Sequence, residues 1–461
     1  MARPTPLSGF PEWLPVQRIV EQHVLDVLRE VFELHGFASI ETRAVEPLDQ
    51  LLRKGETDKE VYVLRRLQAD PDEQAAPAGG DASGSTLGLH FDLTVPLARY
   101  VLENAGHLEF PFRRYQVQKA WRGERPQEGR YREFVQADID VIGRDTLSFH
   151  HEVEVAQVMA EVFARLPFPP VRMQVNSRRL IEGYYLGVGV TPGQVPDVMR
   201  VIDKIDKVTP DAVVAMLVDD VGLTSDQAQA CVALTAVTAD GDELAGKVKD
   251  LGVSHELLDE GVDELSRVLR GTAALRSERF SVVADLRIAR GLDYYTGTVY
   301  ETRMAGFEHL GSICSGGRYD ELASDGRTTY PGVGISLGVT RAVGPLLTRG
   351  LLTASRSTPT CVLVALPAEE SRSELQTLAT ALRSRGIATE VSPTAAKYGK
   401  QIRYAERRGI PFVWFPQDDG GHQVRDIRSG EQVDADAAGW VPPAEDLRPT
   451  VTGNIEGSAA T

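Results

Sequence analysis

Apolar residues at positions 16, 19, 20, 24, 27, 28, 31 and 32 recur at helical spacing, and Gly36 closes the stripe. The spacing predicts a helix over 16–35, followed by a strand in "FASIETRAV". Between 87 and 142 the runs "LGLHFDL", "FRRYQVQKAWRG" and "REFVQADIDVIG" read as strands, with a helix beginning near Thr94. Residues 67–86, "LQADPDEQAAPAGGDASGST", are rich in Gly, Ala, Asp and Pro and read as a long loop. From about 190 to 275 the helical period dominates, which predicts a small helical insertion. Strand-like runs return at 280–304 and are followed by "GSICSGGRYDEL" and "GVGISLGVTRAVGPLL". Beyond the linker-like "SRSTP" (355–359) the order is strand 361–366, helix 371–385, strand 388–392, helix 395–409 and strand 411–415. That alternation marks a small α/β domain. The expected layout is a core from 1–190 and 276–350, a helical insertion at 191–275, an α/β domain at 358–440 and a flexible tail at 441–461.

Composition narrows the class. A chain of 461 residues with 42% hydrophobic and 25% charged residues is globular and too long for one ordinary core. Cys231, Cys314 and Cys361 lie far apart with no C-x-x-C pair, which argues against a zinc site or disulfide framework and for a reducing cytoplasm. The N-terminal "MARPTPLSGFPEWLP" lacks the apolar core of a signal peptide, and no run is long enough to span a bilayer. A soluble cytoplasmic protein is expected, with no membrane partner.

The formal net charge of −16 makes one stretch stand out. In "AWRGERPQEGRYREFVQADID", Arg122, Arg125, Arg130 and Arg132 fall close together, and Gln136, Asp138 and Asp140 follow. Net charge is a sum over the whole surface, so a basic face can sit on an acidic body. Guanidinium groups are planar, permanently charged forks that suit phosphate oxygens. The Pro and Gly of "RPQEG" suit a loop between paired strands, with Arg122 and Arg132 on either side of it and both within reach of one polyphosphate. For any single arginine the alternative is a solvated ion pair on a strand. The cluster as a whole points to phosphoryl or nucleotidyl chemistry, which rests on positioning and charge stabilisation. No G-x-x-x-x-G-K-[ST] or G-x-G-x-x-G occurs, so a nucleotide here would lie on neither a P-loop nor a Rossmann turn.

Other constellations add to it. "FDLTVPLARY" places Asp92 and Thr94 at a helix start, where Thr94 could serve as N-cap. Asp92 and Asp140 could together hold a substrate ammonium, since a buried carboxylate needs a cationic partner. "ARGLDYYTGTVYE" sets Arg290 ahead of Tyr294 and Tyr295, which strand alternation sends to opposite faces. Taken alone that pair reads as core aromatics. "SGGRYDEL" delivers Tyr319 after a Gly pair, and "GVGISLGVTR" ends in Arg341 near a helix start; both allow close backbone approach to a ligand.

Together these motifs resemble the histidyl-tRNA synthetases, which are class II aminoacyl-tRNA synthetases. "WRGERPQEGRYREF" resembles the family's motif 2, "GVGISLGVTR" its motif 3, and "RGLDYYTGTVYE" and "GGRYD" its two histidine signatures. "YGKQIRYAERRGIPFVWF" and "VRDIRSGEQ" resemble the C-terminal anticodon-binding domain. The resemblance implies an α+β fold: an antiparallel-sheet catalytic core with a helical insertion, and a C-terminal α/β domain. It implies L-histidine, ATP with Mg2+ and tRNA(His) as partners, and a homodimer with the early helix and "VEPLDQLL" at the interface. No metal ligand is assigned to a protein side chain. In the implied site Arg122 grips the α-phosphate and the amino-acid carboxylate, Glu124 lies near adenine, Arg130 meets the outer phosphates and Arg341 runs along the triphosphate. Arg290 approaches the α-phosphate and carboxylate, so Arg290 and Arg122 are the implied catalytic pair. Asp92, Thr94 and Gln136 hold the α-ammonium; Asp140 and Tyr295 bracket the imidazole; Tyr319 lines the same pocket, with Leu93 and Tyr294 among the histidine-contacting positions. Pairing both ring nitrogens would supply selectivity without an editing domain. His90 stands where many members carry Arg, and Asp140 replaces the Glu of many bacterial members.

Helix 395–408, "AAKYGKQIRYAERR", offers Lys397, Lys400, Arg403 and Arg407 to tRNA, although a solvated face accounts equally well for any one of them. Three rivals compete. A regulatory paralogue of the histidine-biosynthetic phosphoribosyltransferase would lack the C-terminal domain. A sensor of uncharged tRNA would lack the ATP-gripping arginines, and an unrelated ATP-dependent ligase would not explain "RGLDYY", "GGRYD" and the C-terminal domain together.

Overall fold

The computed structural model describes residues 4–52, 60–65, 86–288, 295–321, 323–417 and 419–454. The loop expected at 67–86, together with Arg290 and Tyr294, therefore lies almost wholly outside the described residues. The chain divides into two compact units. One holds the residues up to Pro11 and Val24–Pro345; the other holds Glu12–His23 and Leu346–Asn454.

The predicted first helix is α1, Pro15–Leu34, and Gly36 follows it in the left-handed region at φ 75°. Its stripe is real: Val20, Val24, Leu28, Val31 and Phe32 are fully buried.

The first unit is built on a nine-stranded sheet. Its strands are β1 (Ala38–Ser39), β2 (Phe112–Trp121), β3 (Glu133–Ile142), β4 (Val171–Ser177), β5 (Thr238–Ala239), β6 (Phe280–Asp285), β7 (Thr298–Met304), β8 (Cys314–Tyr319) and β9 (Gly332–Gly338). The spatial order is β1-β2-β3-β9-β8-β7-β4-β6-β5, antiparallel except for the pairs β1·β2 and β4·β6. The expected long strand over "FASIETRAV" is only the two residues of β1 and a short pairing of Val45–Pro47 with Leu87–Leu89.

Helices α2 (Thr94–Asn104), α3 (His150–Arg165) and α4 (Arg178–Gly187) belong to the same unit. The run expected to be an insertion contains α5 (Val195–Ile202), α6 (Pro210–Asp219), α7 (Ser225–Leu234), α8 (Glu243–Lys249) and α9 (Glu256–Thr272). It is helical and packs on the core. β5, inside it, pairs with β6, and α9 packs on α4 so closely that Gly183 and Gly261 have no room for side chains. A Cβ at Gly183 would lie 2.2 Å from the Leu258 nitrogen, and one at Gly261 2.3 Å from that of Leu180. Two glycines thus let the helices meet backbone to backbone.

The second unit carries the last three residues of α10 (Val339–Thr348) and the predicted α/β alternation. β10 (Val362–Val364), α11 (Arg372–Ser384), β11 (Thr389–Val391), α12 (Tyr398–Arg408) and β12 (Phe412–Pro416) follow one another, and the antiparallel strands β13 (His422–Asp426) and β14 (Gln432–Asp434) complete the sheet. The stretch expected to be a flexible tail is ordered up to Asn454. Asp446 is buried with Arg428 clamped on both its oxygens at 2.7 Å, and Val451–Gly453 pairs with Leu352–Ala354.

Candidate active site

Strand alternation builds the floor. Along β3, Ala137, Ile139 and Val141 point to one face and are fully buried, whereas Gln136, Asp138 and Asp140 point to the other. The register carries this polar face across neighbouring strands. Gln116 of β2 pairs with Asp138, which pairs with Ser336 of β9, which pairs with Ser315 of β8. Beside that row, Arg114 pairs with Asp140, Asp140 with Gly334, and Gly334 with Gly317. A sheet face that is buried and polar is costly unless its groups are partnered. Here they are. Gln136 Nε2 donates to Ser336 Oγ at 2.9 Å, and the Ser336 hydroxyl donates to Asp138 Oδ1. Tyr319 donates its hydroxyl to Asp140 Oδ1 at 2.6 Å, and the fully buried Arg114 places Nη2 2.5 Å from Asp140 Oδ2. Burial raises Asp138 to about 7, against the pull of Arg114 and with the push of Asp140. Burial, then the Asp140 and Asp92 carboxylates, raise the Tyr295 phenol, so it stays a neutral donor.

The glycines make this row possible. A Cβ on Gly334 would meet Asp140 Oδ1 at 2.0 Å, and one on Gly317 would meet the Tyr295 ring at 2.6 Å.

Above the floor, β2 and β3 are joined by the loop 122–132. Gln127 and Arg130 exchange backbone hydrogen bonds around a tight turn at Glu128-Gly129, where Gly129 holds φ 71°. That turn folds Arg130 back beside Arg122. Arg122 donates Nε to the Phe91 carbonyl at 3.0 Å and lies 5.2 Å over the Phe134 ring. Arg130 sits 3.4 Å from Glu124, and Arg341, in the first turn of α10, donates to the Leu310 carbonyl. Arg122, Arg130 and Arg341 line one cleft together with Asp92, Thr94, Glu124, Gln136 and Tyr295. Residues more than two hundred positions apart in the chain thus share one concave site.

Several placements differ from the expectations. Asp140 and Tyr319 are both buried, with the Tyr319 hydroxyl donated to Asp140. Leu93 is fully buried and not in the lining. Arg132 does not join Arg122 in the cleft; its Nε donates to the Glu124 carbonyl at 3.2 Å. Thr94 is not the N-cap: it is already helical, Leu93 holds the cap position, and Asp92, one residue earlier, accepts from the Val95 nitrogen at 3.1 Å through Oδ1. His90 is fully buried with Nε2 2.7 Å from the Lys119 carbonyl, so that nitrogen carries the proton.

Sequence reasoning missed Arg114, Ser336, Phe134 and Glu60. Glu60 approaches Arg122 at 4.0 Å, and burial raises its carboxyl. Among the described residues one group has the makings of a metal site, His150, His151 and Glu154. Arg113 takes both Glu154 oxygens at 2.8 and 2.9 Å, so it reads as an ion-pair cluster. Lys397, at the N-cap of α12, and Lys400, Arg403 and Arg407 within it are exposed at spacings of three and four.

A largely antiparallel sheet carrying an arginine-lined cleft is the core of a class II aminoacyl-tRNA synthetase. The family model described as histidyl-tRNA synthetase matches residues 9–342, and that described as anticodon binding domain matches 360–438. A histidine–tRNA ligase of Cutibacterium acnes is 57% identical over 98% of this chain and 100% of its own length. The crystal structure of histidyl-tRNA synthetase from Nostoc sp. PCC 7120 superposes with a TM-score of 0.81 at 33% identity, covering 95% of this chain and 98% of that one. An ATP phosphoribosyltransferase regulatory subunit/histidyl-tRNA synthetase from Bacillus halodurans, 19% identical with a TM-score of 0.70, covering 87% of this chain and 96% of that one, shares the fold. The chain belongs to the histidyl-tRNA synthetase family and is an enzyme that charges tRNA with histidine.

Proposed function

We propose that the cleft is where histidine is activated with ATP, and that Arg122, Arg130 and Arg341 are its phosphate-gripping groups. The observation that carries this is the convergence of those three arginines, in an acidic chain, on a cleft floored by Gln136 and Ser336. The histidine carboxylate attacks the α-phosphorus and pyrophosphate leaves. No covalent enzyme nucleophile is required; the arginines hold the reactants in line and compensate the developing charge. Arg122 serves the α-phosphate and carboxylate, Arg130 the outer phosphates and Arg341 the length of the triphosphate, with Glu124 near adenine. Arg290 joins Arg122 at the α-phosphate. ATP enters as its magnesium complex. Magnesium would offset charge on the phosphates; no side chain is assigned to hold it, and Glu60 and Glu124 stand 4.0 and 3.4 Å from Arg122 and Arg130.

Asp92, Thr94 and Gln136 receive the ammonium. Tyr295, at the wall, and Asp140 address the imidazole, with Tyr319 fixing Asp140; Tyr294 is a histidine-contacting position only by family resemblance. The histidyl group then passes to the 3′ end of tRNA(His), whose anticodon loop meets the C-terminal unit through Lys397, Lys400, Arg403 and Arg407. A cytoplasmic homodimer completes the reading; no helix among the described residues is long and apolar enough to cross a membrane.

ATP–pyrophosphate exchange dependent on histidine, run against each other standard amino acid without tRNA, tests it. Exchange with histidine alone is expected. Exchange that Arg122→Ala leaves unchanged would remove the cleft as the site of activation.

A further inference from the structure

We propose that Asp138, acting through Ser336, is a positioning residue that turns the Gln136 amide oxygen toward the ammonium of the bound amino acid. The inference rests on the reading of Gln136 as an ammonium acceptor.

The geometry is a chain of three side chains across two strands. The Ser336 hydroxyl sits between Gln136 Nε2, at 2.9 Å, and Asp138 Oδ1. A hydroxyl has one proton, and an ionised carboxylate can only accept. Ser336 therefore gives its proton to Asp138 and must accept from Gln136, so it is the Gln136 –NH2 that faces Ser336. The other end of the amide, Oε1, is left buried without a hydrogen-bond partner in a residue that lines the cleft. A buried, unpartnered carbonyl oxygen costs free energy until a donor arrives, and an ammonium is such a donor. Reversing the chain would turn –NH2 toward the same spot and repel a cation.

What keeps the chain running this way is the charge on Asp138. Arg114 and Gln116 face it from β2, Ser336 from β9, Cys314 from β8, Asp92 from the segment before α2 and Asp140 from its own strand. Arg114, fully buried, is the cation in that set; it favours the ionised form that Asp140 and Asp92 oppose. Near neutrality a proton taken up by Asp138 would make it a donor and send the relay the other way.

The test is a set of isosteric variants read by ATP–pyrophosphate exchange, with thermal melting as the check of folding. Asp138→Asn removes the charge and offers –NH2 to Ser336. It is expected to raise the histidine KM roughly 10- to 100-fold at pH 8, the loss of one hydrogen bond to a charged group, while the ATP KM stays within about threefold. The ratio of variant to wild-type KM is expected to shrink toward one by pH 6, where wild-type Asp138 is itself protonated. Histidine's own ionisation is common to both proteins and cancels. Ser336→Ala is expected to raise the histidine KM as well, and adding Asp138→Asn to it should change that KM little, because the relay is already cut. Should Asp138→Asn fail to fold, a folded Ser336→Ala decides, and a wild-type histidine KM there overturns the relay. Equal rises in histidine and ATP KM, or additive effects in the double variant, also overturn it. Gln136→Leu separates the two ideas. If it leaves the histidine KM unchanged, the ammonium reading falls and the relay with it; if it raises KM while Asp138→Asn and Ser336→Ala do not, only the relay falls.

Discussion

Replacing Gly334 with alanine adds one methyl group at the point where the floor has no space for it. The new Cβ would lie 2.0 Å from Asp140 Oδ1, 2.5 Å from its Cγ and 2.6 Å from the Ile139 carbonyl oxygen. Ordinary contact needs roughly 3.5 Å, so the carboxylate must retreat by more than an ångström and the backbone cannot follow it. That retreat takes Asp140 off the Tyr319 hydroxyl at 2.6 Å and away from Arg114 at 2.5 Å. Hydrogen bonds to a charged group are each worth about 1.5–3 kcal/mol, and overpacking adds about 1–3 kcal/mol. Because the terms share one side chain they do not add, and a net stability loss of about 3 kcal/mol is expected. If Asp140 addresses the imidazole, the histidine KM should rise about 100-fold with the ATP KM nearly unchanged, since an effect of that size corresponds to one lost charged hydrogen bond. Pyrophosphate exchange measures both constants, and a thermal melt measures the stability. Gly246→Ala is the control. It lies in α8 with nothing within 4 Å of the new Cβ, so it should stabilise by about 0.5–1 kcal/mol. A Gly334→Ala protein that melts like the control and binds histidine like the wild type would refute the steric argument.

Gly183→Ala is expected to cost about 2 kcal/mol by forcing α4 and α9 apart, lowering the melting temperature while the histidine KM of the folded fraction stays at the wild-type value. Glu154 is held down to about 2 by its hydrogen bond to His151 and then by Arg113, so it contributes stability that is present above about pH 4.5 and is lost as pH falls toward 2. Partial exposure limits that contribution to about 1 kcal/mol, and acid titrations of Glu154→Gln should show lower stability at neutral pH with a shallower acid limb. Neutralising Lys397, Lys400, Arg403 and Arg407 together should weaken tRNA binding and reduce the slope of log K against log salt by about three, measured by filter binding; an unchanged slope would remove α12 from the tRNA surface.

The elements with strong periodicity were legible before any coordinates. α1, the pair β2 and β3, and the alternation from β10 to β12 follow from apolar spacing, because burial of one face dictates it. The cleft's arginines were legible as a cluster because so much positive charge in an acidic chain needs a local cause. Arg114 was not. On a strand it looks like any solvent-facing cation, and only the register with Asp140 shows it buried. Ser336 and Gly334 escaped for a related reason: their roles arise across strands whose pairing spans almost two hundred residues, and no local spacing encodes it. β13 and β14 are short and polar, so their apolar signal is weak. How closely the helical run packs on the core was not legible, because the contact depends on two glycines, Gly183 and Gly261, and a lone glycine in a helix reads as a defect until its neighbour is known.

The middle of the nine-stranded sheet is made last. β9 lies between β3 and β8, although every other strand of that sheet precedes it in the chain. As the polypeptide leaves the ribosome, β1, β2 and β3 can pair, and so can β8, β7, β4, β6 and β5, but these halves have no strand in common until Gly332–Gly338 emerges. Until then each half presents an open edge, the feature that recruits stray strands from other chains. A message broken before codon 332 would therefore yield something worse than a weak enzyme: a polypeptide with two sticky edges and a charged floor, a substrate for chaperones and proteases. The last few residues of the core act as the keystone of its biogenesis, and the nascent chain remains a quality-control problem until they arrive.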